Sequence, residues 1–201
     1  MPIITRLSQQ LRDPSRVNVF LDGKYAFSLS AEEVIKRGLK VSQPLSTIEV
    51  SVLSSLSKDE KVFAKVINFL SYRPRSVREV TDRLYQYLGP DEQETKAALV
   101  KRLKKLGYLN DLEFARWFAQ SRRANRPRSL RQLSSELYAK GVSKEVISQV
   151  LGEEGDDREA IRKLIAKKSN LEPDKLVAYL ARKGFSWEII KEELDKMATS
   201  G

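Results

Sequence analysis

Neither cysteine nor histidine occurs in these 201 residues. The first absence excludes disulfides and thiolate nucleophiles, the second excludes imidazole acid–base pairs, and together they exclude the usual zinc sites. Glycine is sparse, with nine residues that never approach Gly-x-Gly-x-x-Gly, and Gly23-Lys24 runs into Tyr25, so no phosphate-cradling loop of the Walker kind is present. No apolar run approaches the ~20 residues a membrane span needs. The opening Met1-Pro2-Ile3-Ile4-Thr5-Arg6 lacks the apolar stretch of a secretory signal, which makes the cytoplasm the expected address. Acidic pairs such as Glu32-Glu33, Glu153-Glu154, Asp156-Asp157 and Glu192-Glu193 are candidates for a metal or for carboxylate catalysis. No further ligands converge on them in sequence, and most sit where negative charge suits a helix start or stays solvated. The expectation is a protein without enzymatic activity, metal, cofactor or small-molecule substrate.

What the chain does have is charge, 32% of its residues, and an excess of bases that gives a net +10. That excess is localised: residues 1–57 carry +2, residues 58–151 carry +9 and residues 152–201 carry −1. A concentrated basic stretch points to a polyanion or an acidic protein surface as partner.

The chain begins as strands. Val17–Leu21 and Lys24–Leu29 flank Asp22-Gly23, a two-residue loop that accepts positive φ and suits a hairpin. Ile3–Leu11 supplies a third strand, turning at Asp13-Pro14-Ser15. A short helix follows, with Ser30 and Glu33 as capping box and Gly38 at its end, then a helical stretch from about Ser46 to Leu56. From residue 58 every periodic segment is helical, with Val62, Val66, Phe69 and Leu70 on one face and Leu99, Leu103 and Leu106 on another. Ser57/Glu60, Ser76/Glu79, Asn110/Glu113 and Ser129/Gln132 have capping spacing, and Gly107, Gly141 and Gly184 fall at expected helix ends.

These helices repeat. Arg73-Pro74-Arg75-Ser76 recurs as Arg126-Pro127-Arg128-Ser129, 53 residues on, and each copy opens a helix carrying Leu84 or Leu137. Lys140-Gly141-Val142-Ser143 parallels Lys183-Gly184-Phe185-Ser186, 43 residues on. The reading is a mainly α protein: a small N-terminal β segment with a helix (1–57), then three-helix repeats at 58–107, 109–151 and 156–197 stacked into an elongated array. Gly152–Asp157 is the expected flexible joint.

The candidate binding residues are basic. Arg116, Arg122, Arg123, Arg126, Arg128 and Arg131 surround the second repeat, and guanidinium groups suit bidentate contacts with phosphate or carboxylate. Arg73 and Arg75 belong to the first, whose last helix ends in Lys101, Arg102, Lys104 and Lys105. That ending also has a helix-dipole explanation, and Pro-x-Ser also sets a loop-to-helix turn. Phe114, Trp117, Phe118 and Tyr138 invite base stacking, but their helical spacing favours core packing, as it does for Trp187.

Gly107-Tyr108-Leu109-Asn110-Asp111-Leu112-Glu113-Phe114-Ala115-Arg116-Trp117-Phe118, followed by Arg122, Leu130, Glu136-Leu137 and Lys140-Gly141-Val142, resembles the central signature of RecX regulatory proteins. The similarity covers about the last 140 residues and is densest over 107–151. It implies a helical-repeat body that binds the RecA recombinase filament on DNA, lowers its ATPase and strand-exchange activity, and has no catalytic site. Asn110 stands where the family pattern often has an acid, which also caps a helix. Arg-Pro-Arg-Ser replaces a usual small-residue stretch and makes this surface more basic. The competing reading is a general nucleic-acid binder of helix-turn-helix type. Its reading helices would need polar residues at their starts, and Ser143-Lys144-Glu145 and Asp91-Glu92-Gln93 offer few.

Overall fold

A computed structural model describes residues 1–199, with side chains as far as Lys196. Strands β1 (Ile4–Gln9), β2 (Arg16–Leu21) and β3 (Lys24–Ser30) form an antiparallel meander in the order β1-β2-β3. Asp22 and Gly23 join β2 to β3 at φ +48° and +81°, the left-handed pair that a tight hairpin requires. Alternate residues of the strands face inward, so Ile4, Val19, Leu21, Phe27 and Leu29 form a core with Leu39, Leu45 and Leu53. Helix α1 (Ala31–Lys36) starts on Ser30, whose Oγ accepts the Glu33 amide at 3.2 Å.

Among the described residues nine longer helices follow: α2 (Thr47–Ser71), α3 (Val77–Leu88), α4 (Gln93–Lys105), α5 (Asp111–Asn125), α6 (Leu130–Ala139), α7 (Lys144–Glu153), α8 (Arg158–Lys167), α9 (Pro173–Arg182) and α10 (Trp187–Thr199). The chain forms two compact units, residues 1–69 with 86–99, and residues 70–85 with everything from 100 onward.

One expected helix break is absent. The capping spacing at Ser57/Glu60 predicts a start there, yet α2 runs unbroken for 25 residues. Both side chains serve the sheet instead. Ser57 is buried and its Oγ accepts the Ser28 amide at 3.3 Å, while the Glu60 carboxylate accepts the Ser30 amide at 3.1 Å and pairs with Arg16 at 3.2 Å. With no glycine or proline between Leu45 and Tyr72, nothing in the backbone stops the helix.

The apolar stripes are inward as their spacing requires, with Val62, Val66, Leu84, Leu99, Leu103 and Leu137 all buried. Leu106 is exposed, because α4 ends at Lys105 and the chain has already turned toward Gly107, at φ +76°. Two successive three-helix units then have matching cores. Phe114, Ala115, Phe118, Ala119, Leu133, Leu137, Val142 and Ile147 pack together over α5–α7. Ala160, Ile161, Leu164, Ile165, Leu176, Leu180, Phe185 and Ile190 do so over α8–α10. The first four of each set lie 46 residues apart and the last four 43 apart. Phe114 and Phe118 are therefore core, their rings 5.7 Å apart. Trp187 and Tyr138 are not: both are more than half exposed, since each sits on the outer side of its helix.

Candidate nucleic-acid interface

The second compact unit builds the same joint twice. Ser76 caps α3, its Oγ accepting the Glu79 amide at 3.1 Å while the Glu79 carboxylate accepts the Ser76 amide at 3.3 Å. The next amide, Val77, donates to Asp111 at the start of α5, at 2.8 Å. Further along, the Leu130 amide opening α6 donates in the same way to Asp157, just before α8, at 2.9 Å. Glycine permits the close approach. Gly141 has φ +78°, and a Cβ there would stand 2.8 Å from the Cβ of Arg78; Gly184, at φ +80°, faces the Ser129 Oγ at 3.0 Å in the same way. The Ser129 Oγ in turn donates to the Lys183 carbonyl at 2.7 Å.

Many of the candidate arginines are already engaged by carboxylates. Arg73 donates twice to Glu79, at 3.1 and 3.0 Å, with its guanidinium 5.5 Å from the Trp117 ring. Lys140 donates to the same carboxylate at 3.0 Å. Burial pushes the Glu79 carboxyl up, but Arg73 and Lys140 together outweigh it and hold it at about 2. Arg75 is half-buried, and that burial lowers its guanidinium below the usual value. Arg116 forms a fork with Glu153, at 2.8 and 2.7 Å. Arg122 and Arg128 flank Glu136 at 3.0 and 3.4 Å, and Arg122 lies 4.9 Å over Phe118.

Arg123 is the most enclosed of them. It donates to the Asp156 carbonyl at 2.6 Å and lies 3.4 Å from Glu154 and 3.7 Å from Asp157. The acidic pairs read as solvated are thus largely partners of these arginines. Glu192 and Glu193 likewise take Arg158 and Arg162. The segment expected to be a flexible joint is anchored through Asp156 and Asp157. Sequence spacing carries no sign of this, because the partners lie 31 to 37 positions apart.

The remaining candidates are open. Arg126, Arg131, Lys101, Lys104 and Lys105 are exposed, and among the described residues none has a side-chain ion pair or hydrogen bond. The three lysines occupy the last turns of α4, where cations also suit the helix dipole. Arg126 and Arg128 line a cleft of about 320 Å³ together with Lys167, Lys168, Lys183 and Tyr179. The sequence reading passed over those three lysines; the Lys140/Lys183 match at the repeat ends was the signal that pointed to one of them.

Known proteins with the same features are consistent with one another. The model of the RecX regulatory protein N-terminal domain matches residues 2–46, and that of the second three-helix domain of RecX matches residues 110–151. A regulatory protein RecX of Bacillus pumilus is 35% identical over 208 aligned positions, covering 98% of this chain and 78% of the relative. That of Bacillus subtilis is 34% identical with the same coverage. A crystal structure of a regulatory protein RecX shares the fold at a TM-score of 0.78 and 21% identity, spanning 97% of this chain and all of the other. The crystal structure of RecX from Lactobacillus salivarius aligns over 71% of this chain at a TM-score of 0.61. Sheet, helical repeats and central signature therefore agree with relatives matched along nearly the whole length, and the chain belongs to the RecX family of regulatory proteins.

Proposed function

We propose that this chain binds the RecA recombinase filament on DNA and lowers its ATP hydrolysis and strand exchange, and so modulates recombination and DNA repair. The observation that carries the reading is the set of exposed cations without carboxylate partners, Arg126, Arg131, Lys101, Lys104 and Lys105, in a family of regulators rather than catalysts. DNA is engaged through its phosphates, single-stranded first and double-stranded by the same chemistry. The three-helix units lie along the filament and touch recombinase and DNA backbone together. Membrane and small-molecule partners have no part in this mechanism, and no described helix is long and apolar enough to cross a membrane. A helix-turn-helix reading is disfavoured because Ser143, at the start of α7, is spent on the Val146 amide at 3.4 Å and is followed by Lys144 and Glu145.

The test is titration onto preformed, fully coated RecA filaments held in ATP while hydrolysis is followed. Inhibition well below one copy per recombinase monomer is the expected result. Inhibition that arises only when this protein is added before the recombinase overturns the reading and makes the chain a competitor for bare DNA.

A further inference from the structure

The two joints of the second compact unit are related residue by residue, and they differ in charge. At the first, a small cleft is lined by Arg73, Trp117, Phe118, Ser121, Arg122 and Lys140. At the second, the corresponding positions hold Arg126, Lys163, Leu164, Lys167, Lys168 and Lys183. Five of those six, all but Lys163, line the cleft of about 320 Å³. The first cleft is internally neutralised, because Glu79 takes both Arg73 and Lys140, and Glu136 takes Arg122. The residue equivalent to Glu79 is Gln132, which cannot neutralise anything.

The consequence is a concentration of positive charge. Arg126, Lys167, Lys168 and Lys183 converge on the second cleft, and among the described residues none of them has a carboxylate partner. Arg128 joins them and shares Glu136 with Arg122. The Lys183 ammonium lies 5.6 Å from the Tyr179 ring, which also lines the cleft. Like charges repel, so a protein that draws four of them together without a carboxylate leaves the cleft stabilised by an external anion. A cleft of this size with an aromatic wall fits a nucleotide unit, with its phosphate on the cations and its base or sugar against the ring.

We infer that the cleft between the α5–α6 connection, α8 and α9 seats the phosphodiester backbone of single-stranded DNA, and that Gln132 in place of glutamate is what keeps the seat open. The inference rests on the proposed binding of DNA and assigns it to one place in the molecule. It also separates the two copies of Arg-Pro-Arg-Ser, the first structural and the second a ligand contact.

The test is a single substitution, Gln132→Glu, in the full-length chain. Ser129 already accepts the residue 132 amide at 3.2 Å, so a glutamate there has the spacing of a capping box. By the equivalence with Glu79, which takes Arg73 and Lys140, the new carboxylate is expected to take Arg126 and Lys183. Affinity for a fluorescent oligothymidylate is measured across salt concentrations, with Gln132→Ala as the neutral control. Each lost phosphate contact on a single strand flattens the log–log slope by about 0.7. The expected result is a slope flatter by about one to two contacts for Gln132→Glu and unchanged for Gln132→Ala. Equal slopes for all three proteins, with Gln132→Glu folded by circular dichroism, overturn the inference. So does a variant that loses filament inhibition at an unchanged slope, which would assign the cleft to an acidic protein segment. Running the preformed-filament assay alongside keeps the two proposals apart: a flattened slope with a wild-type chain that fails to inhibit filaments sinks the proposed function and leaves the phosphate seat standing.

Discussion

An arginine's meaning in this chain depends on whether a carboxylate reaches it. Arg123 and Arg131 are eight positions apart and indistinguishable by type, yet Arg123 is enclosed by Glu154, Asp156 and Asp157 while Arg131 is exposed and unengaged. Removing the first strands buried acceptors, so Arg123→Ala should destabilise by about 1–3 kcal/mol in chemical denaturation. Arg131→Ala should stay within about 0.5 kcal/mol of the parent protein. If the two variants were equally stable, the enclosure of Arg123 would have no energetic content. That Arg116 and Arg123 are structural was not legible in the sequence, because their partners are far apart along the chain and the acidic pairs that hold them look like ordinary solvated charge. Arg126, Arg131 and the lysines of α4 could be recognised as basic, but not as unengaged.

Helices were the most legible level. Capping at Ser30, Ser76, Asn110 and Ser129 and the left-handed glycines at 107, 141 and 184 mark boundaries that the structure keeps, because these signals act within one turn of the backbone. The error at Ser57 has the opposite cause. A serine three residues before a glutamate is a cap only if the backbone leaves the helix there, and tertiary partners in β3 claimed both side chains instead. A substitution separates the two readings. Proline is favoured at the first position of a helix and costs about 3 kcal/mol in an interior. Lys58→Pro would be tolerated if a helix began at Ser57; in the continuous α2 it should cost about 3 kcal/mol, read as a lowered denaturation midpoint. The exposed Trp187 and Tyr138 are misreadings of a similar kind, since aromatic character favours burial but the turn of the helix decides it.

At the scale of the whole molecule, the kinship of the α5–α7 and α8–α10 units was visible because Lys140-Gly141-Val142-Ser143 and Lys183-Gly184-Phe185-Ser186 match 43 residues apart, whereas the linkage between these units was invisible. That linkage makes acid sensitivity a global property. Glu79 is held at about 2 by Arg73 and Lys140 against its burial, and Glu193 is held at about 2 chiefly by its hydrogen bond from Arg162. A carboxyl whose folded pKa lies below its unfolded value stabilises the protein fully above the unfolded value, near 4.5, and that stabilisation is lost as pH falls toward the folded one. Thermal stability should therefore hold from pH 7 to about 5 and fall steeply between about 4.5 and 2. The Glu79→Gln, Glu193→Gln double variant should melt lower at pH 7 but lose less on acidification; a parallel decline in both proteins would remove these two carboxyls from the account.

The aspartate at each joint also sets a schedule. The Val77 amide is 34 residues ahead of Asp111, and the Leu130 amide is 27 ahead of Asp157. A ribosome adding about 5–20 residues per second delivers the aspartate roughly 1–7 s after the amide it will accept. Throughout that interval the newborn helix is held at its start by its own local cap. Each unit is thus finished by its successor, and the nascent chain locks from its N-terminal side forward, one carboxylate at a time.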